Sequence, residues 1–223
     1  MAHSAIGDVM AQQRVNVKKV DAAARRQEFQ KQQRRRALIR RAVFGVVLLS
    51  AAAGTGYCVI TDRQFQAGVV TATYPAAQHL PGSLTYRETP PLGGAHNVAW
   101  QNCGIYTVPI HQEHAVHSLE HGAVWITYRP DLPAADVQRL QTLASDDYML
   151  LSPYPGLPAP VVASAWNNQM QMTGVDDPRL PQFIRRFKNN PGTTPEFGAS
   201  CLGGISTTAD VNTLNNGGGP MMR

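Results

Sequence analysis

The chain has 223 residues, enough for one domain of ordinary size with tails, and its 43% hydrophobic content is sufficient for a packed core. The formal charge of +5 averages two unlike parts: residues 1–41 carry eleven Lys or Arg against three acids, whereas residues 61–223 carry nine against twelve. The basicity belongs to the N-terminal arm alone, and no aromatic interleaving or base-reading motif accompanies it, which excludes nucleic acid as the expected partner.

The arm, 1–41, is rich in Ala, Gln, Arg and Lys, and 15–41 lacks both Pro and Gly, so it should be helical. Its arginines suit anionic lipid headgroups. Residues 42–60 (AVFGVVLLSAAAGTGYCVI) carry no charge and follow Arg34, Arg35, Arg36, Arg40 and Arg41. At about 1.5 Å per residue they reach roughly 28 Å, close to the hydrocarbon thickness of a bilayer. Arginines flanking a core helix so densely are rare, and a cleaved signal peptide seldom follows some 40 polar residues; an uncleaved signal anchor is expected. The positive-inside rule puts 1–41 in the cytoplasm and everything after Ile60 outside it. Tyr57 stands where lipoprotein cleavage needs a small residue, which argues against lipidation at Cys58.

Beyond the span, 61–95 reads as an extended, turn-rich approach with strand propensity over 67–73. Residues 123–128 (AVWITY) suit a buried strand. Asp131 can then cap a helix with Pro133 in its first turn and Val137, Leu140 and Leu143 on one face. Strands are expected at 148–152 and 161–166, parted by the turn Pro153-Tyr154-Pro155-Gly156. A second helix opens at Asp177-Pro178 with Leu180, Phe183, Ile184 and Phe187 on one face. The expected fold is therefore α+β: helices packed on a small mixed sheet, preceded by one transmembrane helix and a basic cytoplasmic helix. The extracytoplasmic domain should occupy 61–205 and close with an extended strap after Lys188, while 206–223, rich in Asn and Gly, is expected to be a disordered tail.

In an oxidising compartment Cys103 and Cys201 are the natural disulfide pair, since Cys58 lies at the membrane edge. The rival reading makes Cys103 a metal ligand beside the histidines.

Five of the seven histidines, His96, His111, His114, His117 and His121, fall within 26 residues. Three stretches stand out around them: Pro90-Pro91-Leu92-Gly93-Gly94-Ala95-His96, Cys103-Gly104-Ile105-Tyr106, and Val116-His117-Ser118-Leu119-Glu120-His121-Gly122, with Ala165-Trp166 downstream. Together they resemble the DUF3105 family of bacterial, mainly actinobacterial, membrane-anchored proteins over about residues 60–205. The His-Ser-Leu-Glu-His-Gly run before a strand is the specific part. The resemblance implies a topology and a site but no activity; His96, His117, Glu120 and His121 fall on its motif, whereas His111 and His114 look like additions of this chain.

The same residues admit three readings. If 116–121 is a helical turn, His117 and His121 share a face, Glu120 neighbours both, and His96 can close a metal set from the glycine-rich loop, where Gly93 and Gly94 permit close approach. Zn or Cu suits such ligands, and Met170 and Met172 would favour Cu(I) if they joined, although Met on a strand is more often core filler. A second reading takes His117 to His121 as an H-x-x-E-H zinc metallopeptidase signature with Glu120 as general base and Glu196 as remote third ligand. Against it, Gly122 and the strand behind it end the helix at once. In the third, His and Glu merely hydrogen-bond one another to organise a turn, and the domain is a non-catalytic envelope scaffold or assembly subunit docking a protein partner. Trp100, Trp125 and Trp166 are expected to be core aromatics. No phosphate loop or Rossmann fingerprint is present, so no nucleotide cofactor is expected.

Overall fold

A computed structural model describes residues 2–209, with side chains described from residue 25 onward except at 52 and 57–61. The chain divides into two units, Met1–Asp62 and Arg63–Arg223. The first is part of one helix, α1 (Ala2–Gly68), which ends inside the second. Within it, Arg25–Gly56 is long and apolar enough to cross a membrane. Its Val46, Leu48 and Leu49 side chains are all exposed, an arrangement that suits lipid rather than water.

The second unit is built on a six-stranded mixed sheet. Its elements are β1 (Val70–Thr71), β2 (Gly104–Ile105), α2 (Gln112–Glu120), β3 (Val124–Tyr128), α3 (Ala134–Leu143), β4 (Met149–Pro153), β5 (Val161–Ala165), β6 (Asn168–Met172) and α4 (Arg179–Phe187). The strand order is β1-β6-β5-β3-β4-β2. Parallel strands need a crossover, and α3 supplies the one between β3 and β4, which pair in parallel with Trp125 opposite Leu150. On its other edge β3 pairs antiparallel with β5, and β5 with β6. The β5–β6 turn places Asn167 at a φ of 60°, a conformation Asn tolerates better than most residues.

Side chains alternate across a pleated strand, and here both faces are covered. One face carries Ile126, Leu151, Ala163, Met170 and Met172 against Leu140 of α3, Leu180, Phe183 and Phe187 of α4, and Phe65 from the last turns of α1. The opposite face carries Trp125 and Leu150 against Ala115, Val116 and Leu119 of α2, together with Trp166 and Cys201. The α+β architecture expected from the sequence is thus present, with the histidine-bearing helix on one side and the two amphipathic helices on the other.

Local departures have physical causes. The 67–73 segment is not one strand, because α1 continues to Gly68 and buries Phe65, leaving two residues for β1. Asp131 does not cap α3: its carboxylate binds the Arg129 guanidinium, and Pro133 opens the helix without a side-chain hydrogen bond. Cys103 and Cys201 are joined as a disulfide, so Cys103 is not available as a thiolate ligand. Past residue 205 the strap still pairs with the domain. Thr207 O accepts from Gln101 Nε2, Thr208 bridges Ile110, and the Ala209 amide donates to Pro109 O. The rest of the expected tail, 210–223, lies outside the described residues.

Candidate metal centre

The centre is assembled on α2. This helix ends where Gly122 turns at a φ of 103°, a conformation costly for any residue with a Cβ. A Cβ there would also lie 3.0 Å from Asn189 Cα and 3.0 Å from Thr194 Cγ2, so Gly122 lets the strap pack against the helix end. Residues 97–101 run along α2: the Asn97 amide donates to Glu113 O, the Gln101 amide to His114 O, and Ser118 Oγ to Gln101 O at 2.6 Å. A third segment joins through the parallel bridge between His79 and His96, where the Leu80 amide donates to His96 O and the His96 amide to Gln78 O.

This scaffold fixes the imidazoles. Nδ1 faces a main-chain carbonyl in His96 (Gly94 O, 2.8 Å), His117 (Asn97 O, 2.7 Å) and His121 (Ser200 O, 2.7 Å). A carbonyl only accepts, so each Nδ1 carries a proton, and each ring, when neutral, has its Nε2 lone pair aimed elsewhere. That tautomer, set by an outer hydrogen bond, is the one metal-binding histidines use.

The ligand atoms converge in two groups. His79, His96, His117 and Glu120 bring three nitrogens and a carboxylate oxygen within 4.8 Å of one another, and His117, His121 and Glu196 do likewise. Around a tetrahedral ion with 2.0–2.1 Å bonds, ligand atoms stand about 3.3 to 3.4 Å apart, so the widest pair closes by at most about 1.5 Å. In the four-ligand group His96 and Glu120 are wholly buried, His117 nearly so, and the His79 side chain is 35% exposed. The three rings form a triangle with centroids 4.8 Å apart on every side.

Glu120 spans the first group unequally. Its Oε1 accepts from the Ala77 amide at 2.6 Å. Its Oε2 lies 2.9 Å from His96 Nε2, yet off the direction a ring N–H would take, so both buried atoms lack a hydrogen bond. Unsatisfied buried polar atoms are rare and costly, and a cation between these two would satisfy both.

Burial and the neighbouring rings His121, His96 and His79 press the His117 pKa down to about 4, against a pull upward from Asn97 O, so this imidazole is neutral near pH 7. Burial opposes charge on Glu120, but His96 and the Ala77 amide outweigh it and hold the carboxyl below its ordinary range. Burial likewise opposes protonation of His96; with no ion present, Glu120 and Gly94 O overcome it and raise its pKa. The neutral imidazole of His117 and the ionised carboxylate of Glu120 are the protonation states that a metal ion requires, and an ion would take the place of any proton on His96 Nε2.

The four ligands expected from the sequence are therefore divided. His96, His117 and Glu120 come together, while His121 reaches Glu196 at 3.1 Å and shares only His117 with them. His79 was not among the expected ligands: it stands alone among Gln, Leu and Pro, without a periodic pattern. His111 and His114 belong to neither group; His114 Nδ1 is held 2.6 Å from Ala99 O. Met170 and Met172 face the α3–α4 side of the sheet, away from α2, so no thioether joins the site. Trp125 and Trp166 are buried as expected, but Trp100 is half-buried and packs beside His121, ring centroids 5.0 Å apart.

A mixed-sheet α+β domain with a cluster of imidazoles and carboxylates on one face is what fold and site define. The chain matches the family described as "Protein of unknown function (DUF3105)" over residues 79–203, and it belongs to that family. The matched region opens on His79 and contains every residue of both ligand groups. No curated protein and no solved structure matches the chain.

Proposed function

We propose that this protein is a membrane-anchored, extracytoplasmic metal-binding domain that holds one first-row transition ion, Zn or Cu, at His79, His96, His117 and Glu120. The observation that carries the reading is the convergence of His79, His96, His117 and Glu120, one ligand atom each within 4.8 Å of the others, around the buried contact of His96 Nε2 and Glu120 Oε2 at 2.9 Å, with the Nδ1 atoms of His96 and His117 already committed to carbonyls. A set of three imidazoles and one carboxylate suits Zn(II) and Cu(II); with sulfur absent from the set, Cu(I) is disfavoured. The span within α1 and the Cys103–Cys201 disulfide support a domain displayed in an oxidising compartment. The charge asymmetry around the span supports a cytoplasmic N-terminus resting on anionic lipid. In this arrangement 1–41 is the arm, 42–60 the anchor, and the domain runs from 61 to at least the strap's last described pairing at Ala209.

The H-x-x-E-H peptidase reading gains one point, since Glu196 does lie with His117 and His121. It fails on the base: Glu120 is tied to Ala77 through Oε1 and offers Oε2 to the other group. Zn(II) titration of the purified full chain, with His96→Ala and His117→Ala for comparison, tests the proposal. Stoichiometric binding lost in both variants supports it. A metal-free, fully folded wild type would leave a non-catalytic scaffold docking an envelope partner.

A further inference from the structure

His117 belongs to both ligand groups, and that sharing has a chemical consequence. Its Nδ1 is committed to Asn97 O at 2.7 Å, so it has one donor atom, Nε2, and one lone pair to offer. The two groups cannot be complete at once. They are nevertheless contiguous. The rings of His117 and His121 meet edge to face with centroids 4.7 Å apart, and the Glu196 amide donates to Glu120 O at 3.1 Å, linking the carboxylate-bearing residues of the two groups through the main chain.

The groups also differ in kind. The four-ligand group has three members at or near zero exposure and includes the unpartnered His96 Nε2 and Glu120 Oε2, so it offers the deeper binding position. The three-ligand group ends on Glu196, whose side chain is 39% exposed on the strap, and its three ligands leave a coordination position open to solvent or to an incoming chelating group. We propose that a single divalent transition ion, Zn(II) or a chemical equivalent, enters and leaves through His117, His121 and Glu196 and rests at His79, His96, His117 and Glu120, with His117 a ligand in both positions. The domain is then built to exchange its ion rather than to lock it in. This rests on the metal-site reading above.

Co(II), which suits the same ligands and reports tetrahedral coordination by its visible absorption, is the probe. The full chain, disulfide intact and stripped of metal, is titrated with Co(II), and uptake and loss to EDTA are followed by stopped flow. One ion per chain is expected. Glu196→Gln, a change on the exposed strap that leaves every main-chain bond in place, should keep the affinity within a few-fold while slowing both uptake and loss by about tenfold or more. His121→Ala should do the same, and His117→Ala should weaken binding by about 100-fold. Two ions bound per chain, or wild-type exchange rates in Glu196→Gln, would overturn the exchange proposal and leave the four-ligand site standing. No Co(II) binding by the wild type would remove both.

Discussion

Replacing Glu120 by Gln separates a metal ligand from a structural carboxylate, because the two roles give opposite signs. The Gln Oε1 can keep the 2.6 Å bond from the Ala77 amide, so the local backbone has no reason to move. Its NH₂ then stands where Oε2 lay, 2.9 Å from His96 Nε2, and becomes a donor facing a lone pair. Whenever His96 is neutral, the wild type without metal faces two buried acceptors toward each other. Each unsatisfied group costs about 1–3 kcal/mol, so Glu120→Gln should stabilise the metal-free protein by about 1–2 kcal/mol once imperfect geometry is allowed for. With Zn(II) the order reverses. An ion at 100 times its Kd stabilises the wild type by about 2.7 kcal/mol, and the variant, lacking its only anionic ligand in the four-ligand group, should gain little. Urea unfolding with EDTA and with excess Zn(II) measures all four states. A variant destabilised by about 3–5 kcal/mol with or without metal would mean that Glu120 is the ion-pair partner of a buried imidazolium and nothing more. A variant that binds Zn(II) as tightly as the wild type would refute the ligand assignment.

Three further outcomes follow from the packing. Cys201→Ser opens a crosslink between residues 98 apart, worth roughly 4 to 5 kcal/mol by chain entropy alone; a loss of about 2–4 kcal/mol in chemical unfolding is expected, and no loss would mean that the strap is held without it. Asp177 accepts bonds from Arg179 Nε, Nη2 and main-chain N and from Thr173; the Arg179 contact, opposed by burial, holds its carboxyl far below the usual range. A depressed carboxylate stabilises above its unfolded pKa of about 3.9 and loses that contribution as the pH falls toward its folded value. Asp177→Asn should therefore cost about 1–3 kcal/mol near pH 7, with the gap to the wild type narrowing below about pH 4; a gap independent of pH would exclude the charged interaction as its source. Gly122→Ala combines a positive φ with contacts at 3.0 Å to Asn189 and Thr194, and should cost about 1–3 kcal/mol while loosening the Glu196 strap, read as faster proteolysis of the 189–200 segment.

Much of the scaffold was legible because its signals are local. β3 and β5 announce themselves as runs that hold β-branched residues, β4 as a short apolar run before a Pro-Gly turn, and α3 and α4 by apolar positions at helical spacing; the structure places each within two residues or so of the expected bounds. β2, of two residues, carries no pattern and exists only because β4 offers it an edge, whereas β1 is the part of the strand propensity over 67–73 that pairs with β6 once α1 has taken 67 and 68. The site was half legible for the same reason. His117, Glu120 and His121 are adjacent in sequence and declare themselves, and the glycine-rich loop identifies His96. His79 could not be read, since it arrives through a bridge between two irregular segments. The division of the ligands was equally hidden. Helical spacing places His117 and His121 on one face, but Nδ1 bonds to carbonyls of different segments, Asn97 and Ser200, orient the two rings differently, so that His121 joins only Glu196 while His117 lies with both Glu120 and Glu196. Long-range hydrogen bonds of that kind leave no trace in periodicity. Glu196 shows the converse: named in the sequence as a remote third ligand, it is brought to His121 by a strap whose neighbouring Cys201 is tied to Cys103.

X-ray absorption at the metal edge of the Zn(II)-loaded full chain tests the centre most directly. A first shell of three imidazole nitrogens and one carboxylate oxygen at about 2.0–2.1 Å is expected, losing a nitrogen in His79→Ala. A shell of water oxygens alone, or a protein that takes up no Zn(II) while folded, would contradict it.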